Sequence, residues 1–212
     1  MSDFITITVD GIEAQVQKGM TVVDAAKQYM GVDIPVFCHH PKLEPVGMCR
    51  MCLIEVGMPE RDRATGAILQ NEDGTAKINY GRGLQTGCTV RVADGMVIRT
   101  TTKPVDVARE AVIEFLLTSH PLDCPICDKG GECPLQNLTM KHGEGTTRFD
   151  YNDKIHNKKH VPLGDLIWLD RERCIQCGRC TRYQAEIAGD PVIGFHNRGR
   201  KLEIVTNSDP RL

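Results

Sequence analysis

Aromatic side chains are scarce in this sequence: they make up 5% of 212 residues, with a single tryptophan. Whatever fills the interior is therefore not mainly rings. Net charge is also small, at -2, so no strong field draws the chain toward nucleic acid or an anionic membrane surface. No run approaches the roughly 18 apolar residues of a membrane-spanning helix. GxGxxG and Walker-type phosphate loops are absent, and no flavin site is evident, so the chain is not expected to bind a nucleotide cofactor itself. The opening MSDFITITVDG lacks a basic region followed by an apolar one, and it lacks the Arg- and Ser-rich character of a transit peptide. The expected location is cytoplasmic.

What is present is cysteine. Ten thiols in such a chain are poorly explained by disulfides and better explained by metal. They fall into three groups: Cys38, Cys49, Cys52 and Cys88; then Cys124, Cys127 and Cys133; then Cys174, Cys177 and Cys180.

The surrounding pattern places these groups. FITITVD and IEAQVQ alternate around Asp10-Gly11 and predict an N-terminal hairpin. Thr21 with Asp24 predicts a capped helix that Gly31 ends. MCLIEV predicts a strand, residues 57–80 a polar surface excursion, and TVRVADGMVIRT a second hairpin turning at Asp94-Gly95. PVDVAREAVIEFLLTSH predicts a helix, with Val105, Ala108, Val112, Phe115 and Leu116 as its apolar stripe, delivering the chain to His120. Residues 142–163 are polar and linker-like, LIWLD is a short strand, and a helix follows Cys180 to about Ala188. VIGFH and KLEIV then predict a strand pair turning at Asn197-Arg198-Gly199.

The first group, C-x10-C-x2-C-x35-C, has the order of a plant-type [2Fe–2S] ligand set with a longer first gap. Gly47 can take a positive φ and turn backbone N–H groups toward cluster sulfur. A four-thiolate zinc is the alternative. The hairpin, helix and loop around it are the arrangement of a β-grasp ferredoxin. The third group, CIQCGRC, suits three corners of a [4Fe–4S] cube, with no later cysteine to complete it. His196 follows it but reads better as part of a hairpin, and reassigning Cys133 would strip the middle group. In that middle group, HPLDCPICDKGGEC, His120 offers a fourth donor ahead of Cys124. Imidazole is an established cluster ligand, but a histidine at a helix end is often only a favourably placed cation. A zinc held by three thiolates and one imidazole is the other alternative.

Taken together, these motifs resemble the large iron–sulfur subunit of bacterial respiratory complex I, NADH–quinone oxidoreductase, over nearly the whole chain. The middle motif is shared mainly with NAD-linked hydrogenases and formate dehydrogenases. The resemblance implies a [2Fe–2S] cluster on Cys38, Cys49, Cys52 and Cys88 and a [4Fe–4S] cluster on His120, Cys124, Cys127 and Cys133. It implies a second [4Fe–4S] cluster on Cys174, Cys177 and Cys180, whose fourth ligand lies further along the family's longer subunit. The chain is accordingly expected to be the N-terminal part of such a subunit, with that last cluster incomplete or labile. The implied fold is α+β: a β-grasp [2Fe–2S] domain over 1–102, a small helical domain with one histidine and three cysteines as ligands over 103–142, and a [4Fe–4S] ferredoxin-like domain over 143–212. The implied role is an electron relay, not bond chemistry, from a flavin- and NADH-binding partner among the peripheral-arm subunits toward quinone, on the cytoplasmic face of the bacterial inner membrane. A diaphorase-type subunit of an NAD-linked hydrogenase or formate dehydrogenase is the runner-up, and a zinc-stabilised interaction module is a third reading. Arg50, Arg179 and Arg182 adjoin ligands and are candidates to stabilise reduced clusters, or ordinary solvated or ion-paired cations.

Overall fold

The computed structural model describes residues 3–207. The chain forms two compact units: Met1–Val36 with Arg50–Arg109, and Phe37–Cys49 with Glu110–Leu212.

In the first unit, β1 (Phe4–Val9) and β2 (Ile12–Gln17) pair antiparallel, with Val9 opposite Ile12. Asp10 and Gly11 both take positive φ at the turn, as a two-residue hairpin of matching twist requires. Helix α1 (Val22–Met30) starts at Thr21, whose hydroxyl accepts the Asp24 N–H, and stops at Gly31 in the left-handed conformation. Strands β3 (Leu53–Pro59), β4 (Ile78–Tyr80), β5 (Gln85–Thr86) and β6 (Met96–Arg99) complete a sheet of order β2-β1-β6-β3-β4, with β5 also on β3. β6 is parallel to β1 and antiparallel to β3. Period-2 alternation aims Ile7 and Val9, Cys52, Ile54 and Val56, and Met96 and Ile98 into a core that α1 closes with Val22, Val23, Ala25 and Ala26. No aromatic side chain is among the buried members of that core, and two of its members are thiols.

Two expectations fail here. Residues 89–100 do not form a hairpin: only Met96–Arg99 is a strand. Val90 accepts the Val22 N–H and Val92 donates to Met20, so 89–93 pairs with the entry to α1. Asp94 and Gly95 instead bond to Thr6, the Asp94 carboxylate accepting the Thr6 N–H and the Gly95 N–H donating to the Thr6 carbonyl. The excursion, too, is shorter than 57–80, because Gly57, Met58 and Pro59 pair with Tyr80, Asn79 and Ile78 inside the sheet.

Helix α2 (Lys103–Leu117) spans the division between the units. Its buried positions are Val105, Arg109 and Ile113, one every fourth residue. Phe115, expected on the apolar stripe, is 77% exposed, because it sits about 200° around the helix from Ile113. In the second unit follow α3 (Pro134–His142), the short pair β7 (Val161–Pro162) and β8 (Trp168–Leu169), α4 (Arg179–Tyr183) continued by a π-helical turn to Ala188, and the hairpin β9 (Ile193–His196) with β10 (Glu203–Thr206). Among the described residues, no helix is long and apolar enough to cross a membrane.

Candidate metal centres

Cys38 and Cys49 belong to the second unit, Cys52 and Cys88 to the first. The Cys38 N–H donates to Cys49 Sγ and the Cys49 N–H to Cys38 Sγ, each at 3.4 Å. Gly47 takes the positive φ expected of it, at 59, and Arg50, at φ 61, does so without being glycine. Cys52 and Cys88 are fully buried in the core under β3. Gly87 donates to the Cys52 carbonyl at 2.9 Å and accepts from Val23 at 3.2 Å. A methyl group at Gly87 would stand 3.2 Å from the Cys52 carbonyl oxygen and 3.3 Å from Val23, so a larger residue there would need its neighbours to give by a few tenths of an ångström.

The middle group follows α2. The His120 N–H bonds back to Leu117, and Pro121 ends any continuation. Cys124–Ile126 form a 3-10 turn, and Cys133 caps α3 with Pro134 at its first position. His120, Cys124, Cys127 and Cys133 line one cavity of about 420 Å3, together with Gly130, Leu135 and Arg173. Burial first, and the Lys154 ammonium second, push the His120 imidazole below its usual pKa; Asp123, Asp170 and Glu172 partly oppose them. Lys154 donates to the carbonyls of Leu117 (2.7 Å), Thr118 (3.3 Å) and His120 (3.1 Å), at the α2 terminus where a cation is favoured. Composition marks 142–163 only as polar linker, and a lysine that reaches back more than thirty residues leaves no local signature.

A charged network borders the same cavity. Asp123, the residue before Cys124, binds Lys159 and, at 3.1 Å, Arg173, the residue before Cys174. Glu172 is buried and holds both Lys159 and His156. Hydrogen bonds from Lys159, then Arg173, hold the Asp123 carboxyl below the usual carboxylate range.

In the third group, the Gln176 N–H donates to Cys174 Sγ at 3.4 Å. Gln176 (φ 56) and Gly178 (φ 68) are both left-handed, which curls the backbone around the thiols. Burial pushes the Cys174 and Cys180 thiols up, with the neighbouring thiols adding to it. Cys174 lines a smaller cavity of about 160 Å3 with His120, Arg171 and Arg200; Cys177 and Cys180 do not line it. Buried N–H groups of Arg171 (Nε, Nη2), which lines this cavity, and of Arg179 (Nε) have no acceptor among the described residues. His196 lies exposed on β9. Arg50 is likewise exposed, whereas Arg179 and Arg182 bond to backbone carbonyls.

Among the described residues, no three His, Cys, Asp or Glu side chains converge to hold a single metal ion.

Three family models match successive parts of the chain. A 2Fe-2S iron-sulfur cluster binding domain matches residues 2–103. The NADH-ubiquinone oxidoreductase-G iron-sulfur binding region matches 109–148, and the NADH-quinone oxidoreductase subunit 3 ferredoxin-like domain matches 164–212. The chain is 43% identical over 211 residues to the G subunit of the Streptomyces coelicolor NADH-quinone oxidoreductase, covering 98% of the chain and 22% of that protein. It is 41% identical over 208 residues to NADH-quinone oxidoreductase subunit 3 of Thermus thermophilus, covering 92% of the chain and 26% of that protein. It thus spans about a quarter of the length of these curated relatives. Its structure is similar to a crystal structure of an NAD+-reducing [NiFe]-hydrogenase in the H2-reduced state, with TM-score 0.73, 27% identity, and coverage of 96% of this chain and 75% of that one. The chain belongs to the family of iron–sulfur subunits of the NADH-quinone oxidoreductases, with a 2Fe-2S domain followed by a ferredoxin-like domain.

Proposed function

We propose that this chain is an electron relay, taking electrons from a flavin-bearing, NADH-oxidising partner and passing them toward quinone within a respiratory complex I. It works with that partner and other peripheral-arm subunits, on the cytoplasmic face of a bacterial inner membrane, and performs no bond chemistry of its own. The observation that carries this reading is the single cavity lined by His120, Cys124, Cys127 and Cys133. Zinc needs all its donors within about 2.0–2.3 Å of one point. The cavity that these four donors share, about 420 Å3, has room for a larger group with one iron for each donor.

On this reading Cys38, Cys49, Cys52 and Cys88 hold a [2Fe–2S] cluster in a β-grasp domain over 1–102. His120, Cys124, Cys127 and Cys133 hold a [4Fe–4S] cluster in a helical domain over 103–142. Cys174, Cys177 and Cys180 supply three ligands to a second [4Fe–4S] cluster in a domain over 143–212. The family models support the types, and the inward N–H groups at Cys38, Cys49 and Cys174 support anionic sulfur there. When bound, such clusters supply one-electron transfer. The chain's own residues position the ligands, exclude water from Cys52 and Cys88, and set the local charge.

The likeness to the hydrogenase favours a second reading, a diaphorase-type subunit of an NAD-linked hydrogenase or formate dehydrogenase. The test is anaerobic purification with iron, sulfide and zinc analysis, then EPR with and without dithionite. A brown protein bleached by dithionite, with one [2Fe–2S] and [4Fe–4S] signals, is expected. A colourless, zinc-only protein overturns the relay. NADH should reduce the clusters only when the flavin-bearing partner is added; reduction by hydrogen or formate through a cognate partner supports the second reading. His120→Cys adds a negative charge to the middle ligand set within the same cavity, so that cluster's midpoint potential should fall, by on the order of 100 mV.

A further inference from the structure

Phe37–Cys49, which carries Cys38 and Cys49, contains no helix or strand. Its own backbone makes a turn from the Leu43 N–H to the His40 carbonyl, and much of what fixes it comes from far along the chain, within the same unit. Arg182 Nη1 donates to the Glu44 carbonyl at 2.8 Å, Arg182 Nη2 donates to the Cys38 carbonyl, and Arg182 Nε donates to the Gly178 carbonyl at 3.3 Å. Arg179 Nη2 donates to the His39 carbonyl at 2.6 Å, and the Glu44 N–H donates to Glu186 Oε2 at 2.8 Å. A methyl group added at Gly178 would stand 2.9 Å from Met48 Cε, so the two segments are in close contact there as well.

We propose that Arg182, assisted by Arg179, is a positioning residue shared by two cysteine groups: its guanidinium fixes the carbonyl of Cys38 and the carbonyl of Gly178, between Cys177 and Cys180. The fork of donors is what the task needs. Guanidinium presents five N–H groups in a fixed plane and serves three carbonyls at once; ammonium, a point charge on a flexible stem, does not reproduce that geometry. The three acceptors are neutral carbonyls, so these bonds leave the guanidinium its positive charge next to the backbone of both groups, with the Glu186 carboxylate on the Glu44 N–H as the neighbouring anion. The guanidinium charge therefore favours the more negative, reduced state of a cluster held there. The charge effect rests on the cluster reading above; the clamp on the loop does not.

The experiment separates the two. In the metal-free protein, tryptic cleavage after Lys42 is timed for wild type, Arg182→Gln and Arg182→Lys. Both variants should be cut about tenfold faster at that bond, with other sites unchanged apart from the bond after residue 182, which Arg182→Gln removes. In the iron-loaded protein, the midpoint potential of the [2Fe–2S] signal is titrated by EPR. Arg182→Gln should make it lower by about a tenfold change in the reduction equilibrium, ~59 mV for one electron. Arg182→Lys keeps the charge and should hold the potential, a split that a merely structural role would not produce. Unchanged cleavage in both variants overturns the clamp, and an unchanged potential in Arg182→Gln overturns the charge effect. If Arg182→Gln unfolds the chain, Arg179→Gln, which removes the bond from Arg179 to the His39 carbonyl, decides: faster cleavage after Lys42 supports the proposal and unchanged cleavage overturns it. A wild-type protein that takes up no iron would sink the relay and leave the metal-free cleavage result standing.

Discussion

Gln176 holds a left-handed backbone between two cysteines, a conformation that costs a side chain with a Cβ about 1–2 kcal/mol. Its N–H on Cys174 Sγ and its side-chain amide on the Leu202 carbonyl offset that cost. Gln176→Gly keeps the backbone and should hold iron at the third group to within about twofold. Gln176→Val, β-branched at positive φ, should lose most of it, read by iron content and EPR. At His120 the sign of the pH effect follows from burial and Lys154, which lower its pKa below 6.5. In the metal-free protein the unfolded chain takes up a proton below about pH 6.5 that the folded chain refuses, so stability falls as pH drops through that value. Ligation needs neutral imidazole, so the same depression keeps His120 available to iron at lower pH. Lys154→Gln removes the cation and raises the His120 pKa. Acid loss of the middle cluster should then begin at a higher pH, and an unmoved acid midpoint would count against His120 as a ligand.

Among the elements, α2 has the most to position, since its end delivers His120. Ile113 is buried in the second unit beside Gly143, where a methyl group would meet Ile113 at 3.1 Å. Ile113→Ala should cost about 2–5 kcal/mol, measured by denaturant unfolding of the metal-free protein. The existence of this helix was legible from its start at Pro104 and its apolar spacing, but the buried line was not. Arg109 is buried, and one nitrogen of its guanidinium is 3.4 Å from the Leu53 carbonyl, a contact hydropathy scores as polar and therefore outward. The first hairpin and α1 were legible because their signals are local: Asp10-Gly11 at the turn, Thr21 and Gly31 at the caps. The false hairpin at 89–100 shows the opposite case. Asp94-Gly95 is a turn signal, yet the strand after it is claimed by β1 and β3 and the segment before it by residues 20–22, partners that no local pattern reveals. The cysteine spacing and His120 were likewise local. The long-range contacts of Lys154, Arg173 and Arg182 join residues from 34 to 144 apart and left no trace in spacing.

For the molecule as a whole, the scarcity of rings has a counterpart in what fills the first unit: β-branched and small side chains, with Cys52 and Cys88 buried among them. Both thiols are embedded in packing, so Cys52→Ala or Cys88→Ala should lose the [2Fe–2S] signal and also destabilise the metal-free fold by about 1–3 kcal/mol, measured by thermal unfolding. The backbone leaves the first unit at Val36, contributes Phe37–Cys49 to the second, and returns at Arg50. Units interleaved in this way cannot be parted by one cut. A fragment ending near residue 102 retains the detour over Phe37–Cys49 but discards Arg179, Arg182 and Glu186, which hold it. A fragment ending there is therefore expected to hold Phe37–Cys49 less firmly than the longer chain does, since a division of the gene at that edge would part the loop from the side chains that fix it.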